Sequence, residues 1–384
     1  MPDVVFMVPV GLLVLSGCYM LVACFGTLKF GRMMRSARTA RDTVGITVLK
    51  PLCGPERELA ENLRSFCQQD YENFQIIFGV RNSDDPAGSI ATEIINEFPD
   101  RDIELVIDDT VIGTNLKISN LANMYGVAKY ELIVIADSDM RVDPDYLKTV
   151  AASFENADVG AATCLYSGSA DHGAASRLGA MFINDWFLPS ALIPTMFSEL
   201  SFCFGATMAV RRELLDEFGG FEKLANVLAD DYMLGNLVHR GGRKVALVPY
   251  IVENVVSERN LKSLFLHELR WARTIRSVQP GGYALSVITE ALPISLITAV
   301  FLYFYDAPAW QCLGVVALAF GLRVLLHSSV YVTVRDGRLF SPWLIPLRDL
   351  FSFGVRVSSY FGSTVHWRDQ VMTIDGKSRF QDTA

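Results

Sequence analysis

The chain has 384 residues, 51% of them apolar and only 20% charged, with a formal net charge of −8. That balance is too apolar for an ordinary soluble protein of one or two domains, and an acidic chain lacks the basic face that a nucleic-acid backbone requires of its main partner. Seven scattered cysteines with no C-x-x-C pair exclude a zinc framework or a disulfide-stapled fold and read as reduced, small apolar residues.

Val4 to Leu28 carries no charged residue, which exceeds the roughly 20 residues a helix needs to cross hydrocarbon. A cleaved leader would begin with basic residues. Here Lys29, Arg32, Arg35, Arg38 and Arg41 come afterwards, before the first acid of that run, Asp42. The positive-inside rule then places the amino terminus outside and the following chain in the cytoplasm, behind a retained anchor.

From Val44 to Pro249 strand and helix patterns alternate, the signature of a mostly parallel α/β sheet. Ile46 to Leu49, Phe74 to Val80, Ile103 to Ile107 and Leu132 to Ala136 read as strands. Leu59 to Gln68, Ile90 to Phe98 and Ser119 to Tyr125 read as helices, and Pro144 fits the first turn of the next one. Two strands end in acids, at Asp84-Asp85 and at Asp137-Ser138-Asp139. In open α/β sheets ligands bind outside the carboxyl ends of strands, and two carboxylates two residues apart suit a hard divalent cation. Asp and Ser are equally common turn residues, so the motif alone leaves a plain strand-ending turn open.

Farther on, Asp230 and Asp231 stand between apolar residues at an expected helix start, either as N-terminal acids or as carboxylates in a partly dry place. Leu261 to Leu266 reads as an amphipathic helix at a membrane surface. Leu285 to Tyr305 and Pro308 to Val334 are apolar apart from Glu290, Arg323 and His327, and are flanked by Arg276 and by Arg335 and Arg338. Read as a hairpin, they bring the expected spans to three. Their ionisable residues are costly in lipid and become candidate lipid-pocket groups. Pro342 to Trp367, with Arg348, Asp349 and Arg356, reads as interfacial. The aromatic run Phe182 to Phe204 is too long and apolar for a loop and is expected to wall a lipid groove or to pack as core.

Lys50-Pro51-Leu52, Asn82-Ser83-Asp84-Asp85-Pro86, Asp137-Ser138-Asp139, Ala229-Asp230-Asp231-Tyr232 and His267-Glu268-Leu269-Arg270-Trp271, in that order, resemble the ceramide glucosyltransferase family of membrane glycosyltransferases. Ser176-Arg177-Leu178-Gly179, Asn184-Asp185-Trp186-Phe187 and His267 to Ile275 look most like its bacterial hopanoid-biosynthesis branch. The resemblance implies a GT-A nucleotide-sugar-binding domain at residues 43–255, cytoplasmic, after an anchor at 1–42. An interfacial helix with the Arg-Trp motif at 256–283, a transmembrane hairpin at 284–335 and an interfacial tail at 336–384 follow. It implies an enzyme of the bacterial inner membrane that moves a sugar from a UDP-sugar to a lipid hydroxyl, of a hopanoid polyol or of ceramide.

Carried over by motif, Asp85 holds the uridine or ribose side, Asp137 the ribose and metal, and Asp139 the metal, a Mn²⁺ or Mg²⁺. Asp231 is the general base, which implies inversion. Lys117 faces the nucleotide, and Arg270 and Trp271 meet the diphosphate and a sugar or acceptor ring. His267 departs from the family's Gln or Arg at the first position of its motif, which puts its contact in question. The plain alternatives are a turn at Asp85, a solvated Lys117, and headgroup anchoring by Arg270 and Trp271. A processive polysaccharide synthase shares these motifs but needs more spans, and an inactive scaffold would tolerate changes in the acids.

Overall fold

The computed structural model describes residues 2–40, 44–171, 173–334, 340–362, 364–367, 370–374 and 380–381. Arg41, Arg335 and Arg338, used above for membrane orientation, lie outside them. The chain forms two compact units: Met33–Ser169 with Ser198–Ser257, and Met1–Arg32 with Ala170–Phe197 and Glu258–Ala384.

In chain order the helices are α1 (Pro2–Arg35), α2 (Leu59–Cys67), α3 (Pro86–Glu97), α4 (Leu116–Tyr125), α5 (Tyr146–Ala152), α6 (Gly173–Phe182), α7 (Leu188–Thr195), α8 (Arg212–Glu217), α9 (Asp230–Arg240), α10 (Leu261–Val278), α11 (Pro280–Leu285), α12 (Ala291–Phe304), α13 (Ala309–Val334) and α14 (Ile345–Ser359). The strands are β1 (Ile46–Pro51), β2 (Phe74–Val80), β3 (Ile103–Ile107), β4 (Leu132–Ile135), β5 (Met140–Arg141), β6 (Val159–Ala170), β7 (Met208–Arg211), β8 (Lys244–Val256), β9 (Thr364–Trp367), β10 (Gln370–Ile374) and β11 (Phe380–Gln381).

The first unit is built on an eight-stranded sheet in the order β3-β2-β1-β4-β7-β6-β8-β5. β1 pairs in parallel with β2 and β4, and β2 with β3. β7 then joins β4 antiparallel and extends the sheet through β6. Ile46, Val48, Ile76, Phe78 and Val134 are at most 0% exposed, the continuous apolar runs of strands covered on both faces. Register sets the site: Leu49 stands opposite Ile135 and Pro51 opposite Gly79, so the carboxyl ends of β1, β2 and β4 open at one sheet edge. Two helices begin earlier than their apolar periodicity. Asp85 caps α3, accepting from Ala87 N, with Pro86 at the first turn, and Asn115 caps α4, accepting from Ile118 N. Pro144 precedes α5 rather than opening it, its carbonyl accepting from Asp70 N at 2.8 Å.

The second unit is mainly helical, with a small sheet in the order β11-β10-β9. Among the described residues, two helices are long and apolar enough to cross a membrane, Met7–Arg35 and Ala309–Val334. The expected span Leu285 to Tyr305 is not one straight helix. It bends by 67° between Pro280–Thr289 and Ala291–Phe304, and counts as a third span only if the bent pair is taken as one. α12 by itself, at 14 residues, reaches about 21 Å, short of the roughly 30 Å hydrocarbon core. The break falls at Glu290, which leaves the helical region at φ −87°, ψ 52° and whose carboxylate accepts from Arg356 Nε of α14 at 2.8 Å. α14 turns Arg348, Asp349, Val355, Arg356 and Ser359 inward. Each of its three charges meets a partner: Arg348 with Glu268, Asp349 with Arg323, Arg356 with Glu290. Glu290, Arg323 and His327, the ionisable groups expected in a lipid pocket, each meet a protein partner, because a charge buried in this unit is tolerable only when paired.

Candidate active site

Asp137 and Asp139 follow β4 directly, at the open sheet edge. Their loop is held by side chains from three other elements. Lys50, 0% exposed at the end of β1, donates from Nζ to the Asp137 carbonyl at 2.8 Å and lies 3.7 Å over the Phe66 ring. Burial pushes its ammonium down to about 7, against the pull of Asp139 and Asp137. Asn62 donates to the Ser138 carbonyl at 3.2 Å. Asn254 of β8 donates to Asp139 Oδ2 at 2.9 Å, while Val255 N bonds the Asp139 carbonyl; the pairing of Met140 with Asn254 places it there.

Lys117, one residue inside α4, closes the group from the other side. Its Nζ is 2.6 Å from Asp137 Oδ1 and 3.5 Å from Asp230 Oδ2. Burial lowers its ammonium, but Asp137 and Asp230 outweigh that and hold it above the usual lysine range. The lysine expected to face a nucleotide thus ion-pairs with two of the acids.

Asp230 and Asp231 open α9. Gly235, one turn on, lets that helix touch the neighbouring backbone: a Cβ there would lie 2.5 Å from the main chain of Phe202 and Cys203. Cys203 N in turn bonds the Asp231 carbonyl. Asp231 Oδ1 accepts from Tyr232 N at 2.8 Å. A Cβ on Gly205 would stand 3.4 Å from Asp231 Oδ2 and 3.6 Å from Asp137 Oδ2, so the two carboxylates flank one small open position. Burial, then the charge of Asp230, raises Asp231 above the ordinary carboxylate range; burial, then Asp137, does the same for Asp139. A helix N-terminus works against such a rise, and here desolvation and like charge win.

Asp85 sits half-buried after β2, at the same edge. Its carboxylate accepts from Gly54 N at 2.9 and 3.1 Å and from Ala87 N at 2.9 Å. It caps a helix and pins the loop after β1, which is the turn role that the sequence left open.

The second unit carries His267, Arg270 and Trp271 on α10. His267 Nδ1 is bonded to Glu258 Oε1. Trp271 stacks with Phe182 at 5.8 Å between ring centroids and meets the His267 ring at 4.3 Å, tilted by 59°. Arg270 is half-buried. Glu268, between them in sequence, is 2% exposed and takes the Arg348 guanidinium bidentately at 2.7 and 2.6 Å.

Sequence reasoning gave no site role to Lys50, Asn254 or Gly205. A lysine at the end of an otherwise apolar strand was the one available signal; Asn254 and Gly205 gain their positions only from pairing across the sheet and from α9.

Comparisons with known proteins agree with this architecture. The family model described as Glycosyl transferase family 21 matches residues 10–380. Ceramide glucosyltransferase 1 of Caenorhabditis elegans is 22% identical over 388 residues, covering 96% of this chain and 81% of that protein. Ceramide glucosyltransferase 3 of the same organism is 24% identical, covering 85% and 72%. Among solved structures, the mannosyltransferase PcManGT of Pyrobaculum calidifontis, in complex with GDP-Man and Mn²⁺, superposes with a TM-score of 0.51 at 17% identity, over 91% of this chain and 99% of that one. The fold is accordingly that of GT-A-like glycosyltransferases.

Proposed function

The chain belongs to glycosyl transferase family 21 and is a sugar-nucleotide-dependent transferase acting in glycolipid synthesis, and on that premise we propose that it moves glucose or N-acetylglucosamine from a UDP-sugar to a hydroxyl of a membrane lipid, with inversion. The observation that carries the reading is the meeting of Asp137, Asp230 and Asp231 around Lys117 and the open position at Gly205. The acceptor oxygen attacks the anomeric carbon as its proton passes to an Asp231 oxygen, and the carbon–oxygen bond to the diphosphate breaks with its electron pair on the leaving group. Burial and Asp230 make Asp231 basic enough for that proton. A single base acting opposite the leaving group gives inversion.

Asp137 and Asp139 offer the hard carboxylate oxygens that Mn²⁺ or Mg²⁺ prefers. Among the described residues no three His, Cys, Asp or Glu side chains converge as a ready cage, which fits a site completed by diphosphate oxygens. When bound, the ion neutralises charge on the leaving diphosphate. The residues around it keep Asp137 and Asp139 in place: Lys50 through the Asp137 carbonyl and Asn254 through the Asp139 carboxylate. Asp85 shapes the loop beside the uridine, and Arg270 and Trp271 serve the diphosphate and the acceptor.

The acceptor we favour is a hopanoid polyol, on the resemblance of the 176–187 segment, in the cytoplasmic membrane of a bacterium. Ceramide is the second reading, favoured by the relatives named above. Purified protein given UDP-glucose or UDP-N-acetylglucosamine with either lipid, with and without Mn²⁺ or Mg²⁺, and followed by mass spectrometry of the lipid, separates them. A metal-dependent hopanoid glycoside is expected; product on ceramide alone overturns the hopanoid assignment, and no lipid product at all overturns the transfer.

A further inference from the structure

The helix α6 runs into a π-helical turn, Ile183–Phe187, before α7. Such turns insert an extra residue and are frequent at functional sites. This one sends Asp185 inward to His327 and Arg323, and Trp186 to Thr289, whose Oγ1 accepts from the indole N–H at 2.8 Å. Phe182 and Trp186 stack at 4.9 Å. Beside the turn lies a cavity of about 10 Å³, lined by Met181, Asp185, Trp186, Glu290, Arg323 and Asp349 among others.

Arg323 is 4% exposed. Its Nε and Nη2 donate to Asp349 at 2.8 Å each, and its Nη1 has no hydrogen-bond partner. A buried guanidinium N–H without an acceptor is costly, so the cavity calls for an oxygen. Its charge is fixed by the residues around it. His327 Nε2 accepts from Ser341 N, so its proton sits on Nδ1, is donated to Asp185, and leaves the ring neutral. Two arginines, Arg323 and Arg348, then line the cavity with three carboxylates, Asp185, Glu290 and Asp349. That excess of negative charge rejects an anion. A volume near that of one water molecule rejects a phosphate or a sugar. A hydroxyl fits both conditions, since it accepts from a guanidinium and donates to a carboxylate.

We propose that this cavity receives one hydroxyl of an uncharged lipid's polar head, with Arg323 Nη1 donating to its oxygen, a lining carboxylate accepting its proton, and the Phe182–Trp186 ring pair against the lipid's apolar part. The inference rests on the reading of the chain as a lipid glycosyltransferase and adds how the acceptor is recognised. The test is the melting temperature of the full chain in nanodiscs, without donor, titrated with ceramide, a hydroxylated hopanoid, their O-methylated forms, or phosphatidic acid. One or both hydroxyl lipids stabilise the protein, and which one does so identifies the source of the hydroxyl; the O-methylated lipids and phosphatidic acid do not. Met181→Phe, which fills the cavity, abolishes the response, and Thr289→Val, which frees the Trp186 indole beside it, raises the lipid concentration needed for half of the shift. The melting temperature without lipid reports whether each variant has folded. Equal stabilisation of wild type and both variants means that the cavity holds only water and overturns the proposal, as does an equal response to phosphatidic acid. Lipid glycoside formation on the same samples separates the two readings: product insensitive to both variants removes the cavity site and keeps the transferase, and stabilisation without product from any UDP-sugar removes the transferase and keeps the site.

Discussion

The two units hold acids of the same kind under opposite terms. In the helical unit Glu268, Glu290 and Asp349 each meet an arginine within 2.8 Å, and none is more than 6% exposed. In the sheet unit Asp137, Asp139, Asp230 and Asp231 lie near two lysines, of which Lys50 donates to the Asp137 carbonyl and Lys117 is divided between Asp137 and Asp230. The first arrangement spends its charges on one another and stabilises a packing. The second leaves Asp139 and Asp231 raised in proton affinity, with Asp231 beside the open position at Gly205, which is what a site for cation, proton and leaving group needs.

That contrast can be broken from either side. The largest effect is expected at the open site: Asp231→Asn lowers kcat by about 10²–10⁴-fold, the usual contribution of a general base, while calorimetry still detects UDP binding. A loss under about tenfold would make Asp231 a helix-terminal acid and nothing more. On the paired side, Arg348→Met strands a buried Glu268 and costs about 3–5 kcal/mol of stability. The double variant Arg348→Met/Glu268→Leu regains most of it in thermal unfolding, and a double variant no more stable than the single one would remove the pairing argument. Asn254→Ala, which releases Asp139 Oδ2, weakens metal activation by about 10–100-fold, the scale of an outer-shell ligand partner; an unchanged Mn²⁺ titration would deny Asp139 the metal.

The smallest effect is a shift on the pH axis. Asp231 must be ionised to accept a proton, and burial together with Asp230 raises its pKa, so kcat/KM falls on acidification from a pH above the ordinary carboxylate range. Asp230→Asn removes the like charge, lowers that pKa and moves the ascending limb to lower pH. A limb that stays or moves up would assign it to another group.

Much of the sheet was legible. Phe74 to Val80 and Ile103 to Ile107 read from the sequence with the limits they have in the fold, since a strand buried on both faces leaves an uninterrupted apolar run between turn residues. The helices after them were read to begin late, at Ile90 and Ser119, because periodicity reports the buried face, whereas the first turn is set by the caps Asp85 and Asn115. Asp85 stands at the sheet edge that its motif implies, and only the fold shows its carboxylate accepting from the Gly54 and Ala87 amides. The run Leu285 to Tyr305 looked continuous because nothing local marks its break; Arg356, far along the chain, holds Glu290 there.

By itself, then, the sequence determined where apolar runs lie, where acids end strands and where a helix begins on two aspartates, since these depend on neighbours along the chain. Only the tertiary structure decided which charges are matched and which are left to act. Pairing and proton affinity depend on desolvation and on partners brought from distant segments, as when α14 supplies Arg348 to Glu268 and β8 supplies Asn254 to Asp139.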